Sequence, residues 1–418
     1  MTATGARPRT VIFLGNFGTQ NLGNECTLQA ILQNLHRYLP DAKASCVCSN
    51  PEDTSRRHGI PAFPLSYRFS TAFGSQKAPG PERAWARWIR RIMIRMPLEV
   101  VEWLKAFRRL KGTDTLIMTG TGMLTDVGIG PLDLHYEILK WSIVAKLRRC
   151  RLLFVSVGAG PIDDSWSRRI VKAAISLADY RSYRDAFSKQ FLDGIGFDTS
   201  RDQVYPDLVF SSIRPGAPAS SRDGGSGGRT IGLGLMDYYG TRGGKEGGEH
   251  VYRAYVEQMA RFAAWLLERG YTLRLLVGDL AYDRRVKEDV VGRLREIGVT
   301  YGPGRVIDEP VASVDQLWSQ LEQTDMVVAT RFHNVLMALM LSKPMVAVSF
   351  HEKVRSLMNE AGLAEYCQDI ADHDLQGLIG RFTRLERNSE KLRLDMTRMS
   401  EEYRVALDDQ YERIFKDP

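Results

Sequence analysis

The chain has 418 residues, 44% hydrophobic and 26% charged, which is typical of a globular protein with two domains and excludes a disordered chain or a coiled coil. Its 57 Lys and Arg residues against 50 Asp and Glu give a net charge of +7, which suits anionic ligands or an anionic membrane surface and does not indicate nucleic acid. Apolar runs are short, residues 1–10 are polar and five cysteines are scattered, so we expect no membrane span, secretory signal, disulfide framework or metal cluster.

The first half of the chain alternates short apolar runs with helical patterns, which is typical of a mostly parallel sheet with crossover helices. The predicted strands are Val11–Gly15, Lys43–Cys48, Thr115–Thr119, Leu152–Val157 and Arg181–Arg184. The predicted helices lie near Asn24–Leu39, Pro131–Arg149 and Ser165–Asp179. Residues 213–229 are rich in Gly, Ser and Pro, so we expect a first domain over 1–212 followed by a linker over 213–229.

The same alternation starts again after the linker. Strands are predicted at Thr230–Met236, Tyr271–Val277, Val306–Asp308, Met326–Thr330 and Met345–Phe350. Helices are predicted at Val251–Arg269, Asp283–Ile297, Val314–Gln323, Phe332–Leu341 and Lys353–Ala361. We therefore expect a second α/β domain over 230–373 and a charged helical tail over 374–418. Two such domains favour a ligand in the cleft between them, at the carboxyl ends of the strands.

Three glycine-rich loops follow predicted strands of the first domain. They are Gly15–Glu25, Thr119–Asp126 and Ser156–Pro161. Glycine lets the backbone approach a ligand closely, and the helix that follows the first loop presents an N-terminus suited to an anion or a polar sugar group. Together the loops predict one binding face, although each alone is also explained as a tight turn. Their spacing does not match the Gly-x-Gly-x-x-Gly pattern of a dinucleotide site.

The junction of strand and helix at residues 325–334 is the strongest candidate for chemistry. Thr330 suits the N-cap of the helix, which would place Arg331 and His333 in the first turn. A guanidinium group is a planar fork for a carboxylate or phosphate, and an imidazole moves protons near neutral pH. The junction therefore predicts a site for a small anion with proton transfer. The alternative is that Arg331 pairs with a carboxylate at the domain interface and His333 is a buried residue with its hydrogen bonds satisfied.

Lys353 follows the next predicted strand and opens a helix. A cation at this position opposes the helix dipole unless an anion binds nearby, so Lys353 is a second candidate for anion binding. A solvated surface lysine is the alternative.

These residues together resemble the polysaccharide pyruvyl transferase family. The family's opening Asn-x-Gly-Asp-Glu pattern is matched by Asn21–Glu25, although Asn24 replaces the usual Asp. The family's late block is matched from Asp325 to Lys353. This block consists of an Asp, a short apolar stretch, Arg-x-His, a Pro-led strand and a helix that starts at Lys. Arg184, Asp185 and Ser188 are similar to its Arg-Asp-x-x-Ser stretch, and Pro206-Asp207 to its Pro-Asp. The resemblance covers residues 11 to about 365.

The resemblance implies two Rossmann-like α/β domains in the B-type glycosyltransferase architecture. It also implies transfer of a pyruvyl group from phosphoenolpyruvate to two hydroxyls of a saccharide, which gives a cyclic ketal and phosphate. His333 and Arg331 are then the catalytic candidates, and the donor site takes Thr330, Arg331, Asn334 and Lys353. The acceptor candidates are Asn16, Asn21, Gly23, Asn24, Glu25, Gly120, Gly122 and Asp126. Phosphoenolpyruvate is a substrate, and no cofactor or metal is expected.

Several alternatives remain open at this point. Asp126 or Asp207 is a possible replacement for the Asp that the family has at position 24. A nucleotide-sugar glycosyltransferase or epimerase has the same architecture and would bind a diphosphate at the same helix, with Glu352 available for a ribose. A non-catalytic sugar- or anion-binding protein is the third possibility.

Two further segments carry expectations of their own. Gly240–Gly248 holds five glycines and predicts a mobile lid in which Arg242 or Lys245 touches the donor on closure, or else a flexible surface loop. Residues 83–111 hold nine Lys or Arg against two Glu, with three tryptophans, and Pro97 is expected to split them into two amphipathic helices. Such a composition suits an anionic membrane on its cytoplasmic side, where lipid-linked saccharides lie, or else a solvated basic face over an apolar core.

Overall fold

The computed structural model describes residues 7–66, 84–126, 129–213, 228–240, 244–372 and 374–416. The chain divides into two compact units. The first unit comprises Met1–Thr19, Leu32–Leu208 and Gln410–Pro418, and the second comprises Gln20–Ile31 and Val209–Asp409. The linker predicted at 213–229 lies almost entirely outside the described residues, so the domain boundaries stay a prediction.

The first unit contains a seven-stranded parallel sheet. Its order is β3-β2-β1-β4-β5-β6-β7. Strands β2 and β3 are therefore added on one side of β1, and β4 to β7 on the other side. All five strands predicted from the sequence are present, with ends within one residue of the prediction, and the two short strands β3 and β7 are additional. The bounds are β1 Thr10–Gly15, β2 Lys43–Cys48, β3 Ala62–Pro64, β4 Thr115–Thr119, β5 Arg151–Val157, β6 Tyr180–Tyr183 and β7 Gln203–Val204.

Helices cover this sheet and bury its apolar side chains. Leu14, Met118 and Phe154 come from neighbouring strands and pack with helical residues such as Ile138 and Val144 in one core. The helices are α1 Leu22–Tyr38, α2 Pro51–His58, α3 Ala84–Arg109, α4 Tyr136–Leu147, α5 Ser165–Ser176 and α6 Ala186–Gly194, with a π-helical turn over Pro131–His135 that leads into α4. α1 contributes its first ten residues to the second unit.

The expected split at Pro97 is wrong, because α3 is one helix of 26 residues with Pro97 inside it. A proline removes one backbone hydrogen bond, and the rest of the ladder continues the helix on both sides. None of the helices in the described ranges is both long enough and apolar enough to cross a membrane.

The second unit contains a six-stranded parallel sheet of order β10-β9-β8-β11-β12-β13. All five predicted strands are again present, and β13 is additional. The bounds are β8 Thr230–Gly234, β9 Thr272–Leu276, β10 Val306–Ile307, β11 Met326–Ala329, β12 Met345–Ser349 and β13 Cys367–Asp369. The order places β9, β8, β11 and β12 side by side, so the loops at their carboxyl ends are neighbours.

The helices of the second unit match the predicted segments, and the tail is helical as expected. They are α7 Gly244–Glu268, α8 Asp283–Glu296, α9 Val314–Glu322, α10 Phe332–Met340, α11 Glu352–Glu360, α12 Leu375–Arg387 and α13 Ser389–Phe415. α7 begins seven residues before its predicted start, so the expectation of a mobile loop is wrong for Gly244–Gly248. A Cβ on Gly248 would lie 1.9 Å from the carbonyl oxygen of Tyr239, so this glycine allows close packing of α7. Arg242 lies outside the described residues.

Candidate functional site

The junction between β11 and α10 differs from the prediction by one residue. The backbone N–H of Thr330 still donates to Gly234 O of the neighbouring strand, at 2.9 Å. The N-cap is therefore Arg331, one residue later than expected and without a side-chain capping bond, while the helix begins at Phe332 as predicted. The expected capping role of Thr330 is wrong, since its hydroxyl is buried and lies 2.8 Å from the hydroxyl of Tyr255.

Arg331 is held by a buried carboxylate. Its Nε donates to both carboxylate oxygens of Asp283, at 2.9 and 3.2 Å, and its Nη2 donates to Oδ1. The side chain of Asp283 is fully buried, whereas that of Arg331 is 19% exposed. Burial opposes the charged guanidinium, but the charge and hydrogen bonds of Asp283 outweigh it and raise the pKa of Arg331 above its ordinary value. Arg331 thus pairs with a carboxylate, as the alternative expected, but its partner Asp283 belongs to the same unit and not to a domain interface.

Asp283 also organises the backbone around it. Its Oδ2 accepts hydrogen bonds from the backbone N–H groups of Gly278 at 3.1 Å and Asp279 at 2.9 Å, and its Oδ1 accepts one from Asp237 at 3.1 Å. One carboxylate therefore connects the ends of β8 and β9 to the start of α10. Asp283 was not among the site residues predicted from the sequence. The available signal was Gly278-Asp279-x-x-x-Asp283, a loop with two carboxylates directly after a strand.

Asp279 links the same loop to the start of α1. Residues Gln20 and Leu22 exchange backbone hydrogen bonds of 3.0 Å with Leu280 and Gly278, and the Nδ2 of Asn21 donates to Asp279 Oδ2 at 3.3 Å. Asp279 is only 6% exposed. Its burial, together with the nearby charge of Asp283, raises the pKa of the Asp279 carboxyl above its usual range, while Arg331 opposes the shift.

Asn21 caps α1 in addition. Its Oδ1 accepts from the backbone N–H of Gly23 at 3.1 Å and of Asn24 at 3.4 Å, so it satisfies two of the donors that a helix start leaves open. Asn24 is half-buried on this turn, and the side chain of Glu25 is buried. Asn21 and Gly23, predicted as acceptor residues, therefore also have a supporting role.

Gly23 lies directly against the ring of His333. A Cβ on Gly23 would be 1.9 Å from Nδ1 and 2.3 Å from Cγ of the imidazole, so any side chain at this position would have to displace the ring. The first turns of α1 and α10 thus meet at His333. Because the N-terminal end of a helix carries positive potential, an anion beside His333 would be stabilised by two helices.

Asn334 follows His333 on the same turn of α10. Its side chain is fully buried between Gly234 and Gly278, where added Cβ atoms would lie 2.9 Å from Nδ2 and 3.4 Å from Oδ1. Among the residues that the structure describes, neither Oδ1 nor Nδ2 finds a hydrogen-bond partner. Burying an amide without a partner costs free energy, so this side chain is suited to a bound group or water.

Lys353 lies beside the same helix start. Its Nζ is 5.6 Å from the ring centroid of Phe332 and 5.4 Å from that of Phe350. The N-cap of α11 is His351, whose Nδ1 accepts from the backbone N–H of Lys353 at 3.2 Å, so the helix begins one residue earlier than predicted. Glu352, considered above for a ribose, forms an ion pair with Arg355 at 3.1 Å.

The remaining acceptor candidates belong to the first unit. The backbone N–H of Asn16 donates to Thr121 Oγ1 at 3.0 Å, and a Cβ on Gly120 would lie 2.3 Å from Ser156 O. The three glycine-rich loops therefore adjoin one another, as expected. Gly122 has a φ of +70° and open space above it. The predicted sugar-binding role of Asn16, Gly120 and Gly122 stays a prediction.

The two carboxylates considered as replacements at position 24 are engaged within the first unit. Asp126 Oδ2 accepts from the backbone N–H groups of Asp163 at 2.6 Å and Asp164 at 2.9 Å. Asp207 is 3.6 Å from Nη1 of Arg184 and nearly buried. Both carboxylates stabilise loops, so fewer of their oxygen lone pairs are available to accept a hydrogen bond from a substrate hydroxyl.

The Arg-Asp-x-x-Ser stretch supports the third glycine-rich loop. Asp185 caps α6 by accepting from the backbone N–H of Ser188 at 2.7 Å. The Oγ of Ser188 then accepts from the backbone N–H of Ala159 at 2.9 Å. Within the described ranges, no three His, Cys, Asp or Glu side chains are grouped so that they could hold a metal ion.

The two parallel sheets with their helices define an α/β protein of the B-type glycosyltransferase architecture. Two solved structures show the likeness. The UDP-GlcNAc 2-epimerase from Methanocaldococcus jannaschii has a TM-score of 0.56 at 12% identity, over 90% of this chain and 92% of that one. A UDP-forming α,α-trehalose-phosphate synthase from Burkholderia xenovorans has a TM-score of 0.55 at 12% identity, over 98% and 99%. At such identity the likeness shows the fold alone.

The chain belongs to the polysaccharide pyruvyl transferase family, whose sequence model matches residues 21–352. A curated relative is the amylovoran biosynthesis protein AmsJ of Erwinia amylovora, which is 20% identical over 416 residues, 94% of this chain and 96% of that protein. The matched range begins at Asn21 and ends at Glu352, so it contains Gly23, Arg331 and His333. Family and relative support a role in pyruvyl transfer within polysaccharide biosynthesis.

Proposed function

We propose that the protein transfers a pyruvyl group from phosphoenolpyruvate to two hydroxyls of a saccharide and releases phosphate. Family membership supports the reaction type. The single observation that carries the assignment of residues is the meeting of two helix starts at His333, with Arg331 and the buried amide of Asn334 on the same turn. A lipid-linked or polysaccharide-precursor saccharide is the proposed acceptor.

The donor carries a phosphate and a carboxylate, and the second unit offers matching groups. Asp283 uses Nε and one N–H of Nη2 of Arg331, and a guanidinium has five such donors, so the others can bind an anionic oxygen. The exposed fifth of the Arg331 side chain provides the access. The start of α10 and the ammonium of Lys353 add positive potential. Asp283 already balances the charge of Arg331. We therefore propose that Arg331 mainly orients the donor through hydrogen bonds and that Lys353 supplies the long-range attraction for the anionic donor.

The chemistry requires one proton at the methylene carbon of the donor. Protonation there makes C2 electrophilic, the first hydroxyl adds to it, and the C–O bond to phosphate breaks. The second hydroxyl then closes the ketal. Of the two hydroxyl protons, one replaces the proton given to the methyl group and the other leaves on phosphate. We assign the proton transfer to His333, because imidazole both donates and accepts near neutral pH.

Two carboxylates of the loop after β9 act as positioning residues in this proposal. Asp283 orients Arg331 directly. Asp279 holds Asn21, which caps the turn of α1 that carries Gly23 against the imidazole. Asn24, on that turn, is then the residue of α1 proposed to contact the acceptor.

The test supplies the purified protein with phosphoenolpyruvate and candidate lipid-linked or precursor saccharides and measures released phosphate. We expect phosphate only when donor and acceptor are both present, and none with His333→Gln. Release of UDP from a UDP-sugar, with phosphoenolpyruvate left unchanged, would contradict the proposal and favour the glycosyltransferase or epimerase alternative. Binding of saccharide and donor without turnover would favour a non-catalytic protein.

A further inference from the structure

The second half of α3 exposes its apolar side chains. Fourteen large hydrophobic side chains are exposed among the described residues, and six of them fall within twelve residues of this helix. Their exposed fractions run from 38% to 62%. The six are Met96, Leu98, Val100, Val101, Leu104 and Phe107, which we call the α3 outer face. A cluster of this kind on a water-soluble surface marks a contact with something else.

The inner face of the same helix holds the acidic side chains. Glu99 accepts from the hydroxyl of Tyr136 at 2.8 Å and from the buried Nζ of Lys140 at 3.3 Å. Glu102 is 8% exposed and lies on the same side as the buried Leu110. These are the two acidic residues of 83–111. This half of α3 therefore buries both carboxylates, wholly or in large part, beside Ala106 and Leu110 and leaves six large apolar side chains exposed, which departs from the usual arrangement of a surface helix.

Basic side chains border the α3 outer face. Lys105 is 62% exposed, although its Nζ also lies 2.8 Å from Glu102. Arg108 is exposed on the next turn, and the guanidinium of Arg148 lies 4.5 Å from the ring centroid of Phe107. Beside Arg148, Leu147 of α4 is 64% exposed and extends the apolar area. With both glutamates turned inward, the outward surface of this half-helix combines apolar groups with Lys and Arg.

We propose that the α3 outer face docks on an anionic membrane surface and lies in its interface without crossing it. The apolar side chains would enter the headgroup and acyl boundary while Lys105 and Arg108 contact lipid phosphates. A second copy of this chain is the less suitable occupant, because a symmetric dimer through this face would bring basic rims together. This inference is independent of the reaction proposed above, since it rests on burial and charge in α3 alone.

The test is sedimentation of the full chain with vesicles of phosphatidylglycerol and phosphatidylcholine, compared with phosphatidylcholine alone. We expect binding to the anionic vesicles at low salt, at least tenfold weaker binding to neutral vesicles, and loss of binding as salt rises. The variant Val100→Gln/Leu104→Gln/Phe107→Gln replaces exposed side chains, so it should keep its melting temperature and lose at least tenfold in vesicle partitioning.

The matched control is Leu394→Gln/Val405→Gln on α13, where the side chains are 74% and 55% exposed outside the α3 outer face. It should bind vesicles like the unmodified protein. Equal vesicle binding by the triple variant, equal binding to neutral vesicles, or no binding at low salt would each overturn the proposal. A dimer in vesicle-free solution that the triple variant abolishes would also overturn it and assign the face to a second copy.

Discussion

Gly23→Ala adds a single methyl group at the point where α1 touches His333. The new Cβ would lie 1.9 Å from Nδ1, 2.3 Å from Cγ and 2.4 Å from Cε1 of the imidazole. Favourable contacts of this kind need about 3.5 Å, so the ring must move by roughly 1.5 Å. A displacement of about 1 Å in a catalytic group can lower turnover by about 100-fold, and we expect a loss of this order.

Stability should change little in the same variant. Gly23 lies in the first turn of α1 at an ordinary helical φ, where alanine is intrinsically favoured over glycine by up to about 1 kcal/mol. That gain offsets part of the cost of moving a half-buried ring. Gly292→Ala in α8 is the matched control, because a Cβ there meets nothing within 4 Å and should leave turnover unchanged.

The assay compares phosphate release and thermal melting for Gly23→Ala, His333→Gln and the double variant. If Gly23 acts by placing the imidazole, the double variant should lose no more turnover than His333→Gln alone. Full turnover in a folded Gly23→Ala protein, or losses that simply add in the double variant, would show that Gly23 does not act by placing the imidazole of His333.

Three further predictions follow from the same site. Arg331→Ala leaves the fully buried Asp283 carboxylate without its partner, so the free energy of unfolding in urea should fall by about 3–5 kcal/mol, and Arg331→Ala/Asp283→Asn should recover part of it. The raised pKa of Asp279 means that the folded protein binds the proton of this carboxyl more tightly than the unfolded chain does. The stabilisation by protonated Asp279 should therefore fall as pH rises from about 4 through the raised pKa. In urea unfolding, Asp279→Asn should lack this decrease of stability with pH. His333→Gln should lower kcat by about 100-fold or more with little change in KM for phosphoenolpyruvate, and its rate profile should lack one pH-dependent limb.

Each of these outcomes can be contradicted directly. An Arg331→Ala protein as stable as the unmodified chain would show that Asp283 does not need its partner. An Asp279→Asn protein with an unchanged dependence of stability on pH would remove the raised pKa from the account. A folded His333→Gln protein with unchanged kcat would end the catalytic assignment of His333.

Much of the fold followed from the sequence because both domains repeat a strong local signal. Apolar runs of three or four residues mark β1, β4, β5, β11 and β12, and those strands are present at the predicted positions. The strands that were missed, β3, β7 and β13, have two or three residues, which is too short for periodicity to identify them; β10 is as short, and it was predicted one residue too long. The N-cap of α10 was misplaced by one residue, because the last hydrogen bond of a strand depends on its neighbour in the sheet.

Two local rules were overruled by packing. Pro97 lies inside a continuous helix, and the glycines of 244–248 form the first turns of α7. Local propensity predicts a break at both places, but contacts such as that of Gly248 with the backbone of Tyr239 select the helix.

The candidate site was predicted only in part for a similar reason. Arg331 and His333 were visible as residue types at a strand-to-helix junction. Their partners were not visible, because Asp283 and Gly23 come close to them only through the strand order of the second unit and the placement of the start of α1. A glycine 310 positions before a histidine carries no sign in the sequence that the two touch.

The most direct test of the central claim is to run the reaction in deuterium oxide with phosphoenolpyruvate and a saccharide acceptor and to examine the product. The account predicts one phosphate for each pyruvate ketal formed and one solvent deuterium in the ketal methyl group, with both lost in His333→Gln. Phosphate release without a ketal, or a ketal whose methyl group carries no solvent deuterium, would contradict it.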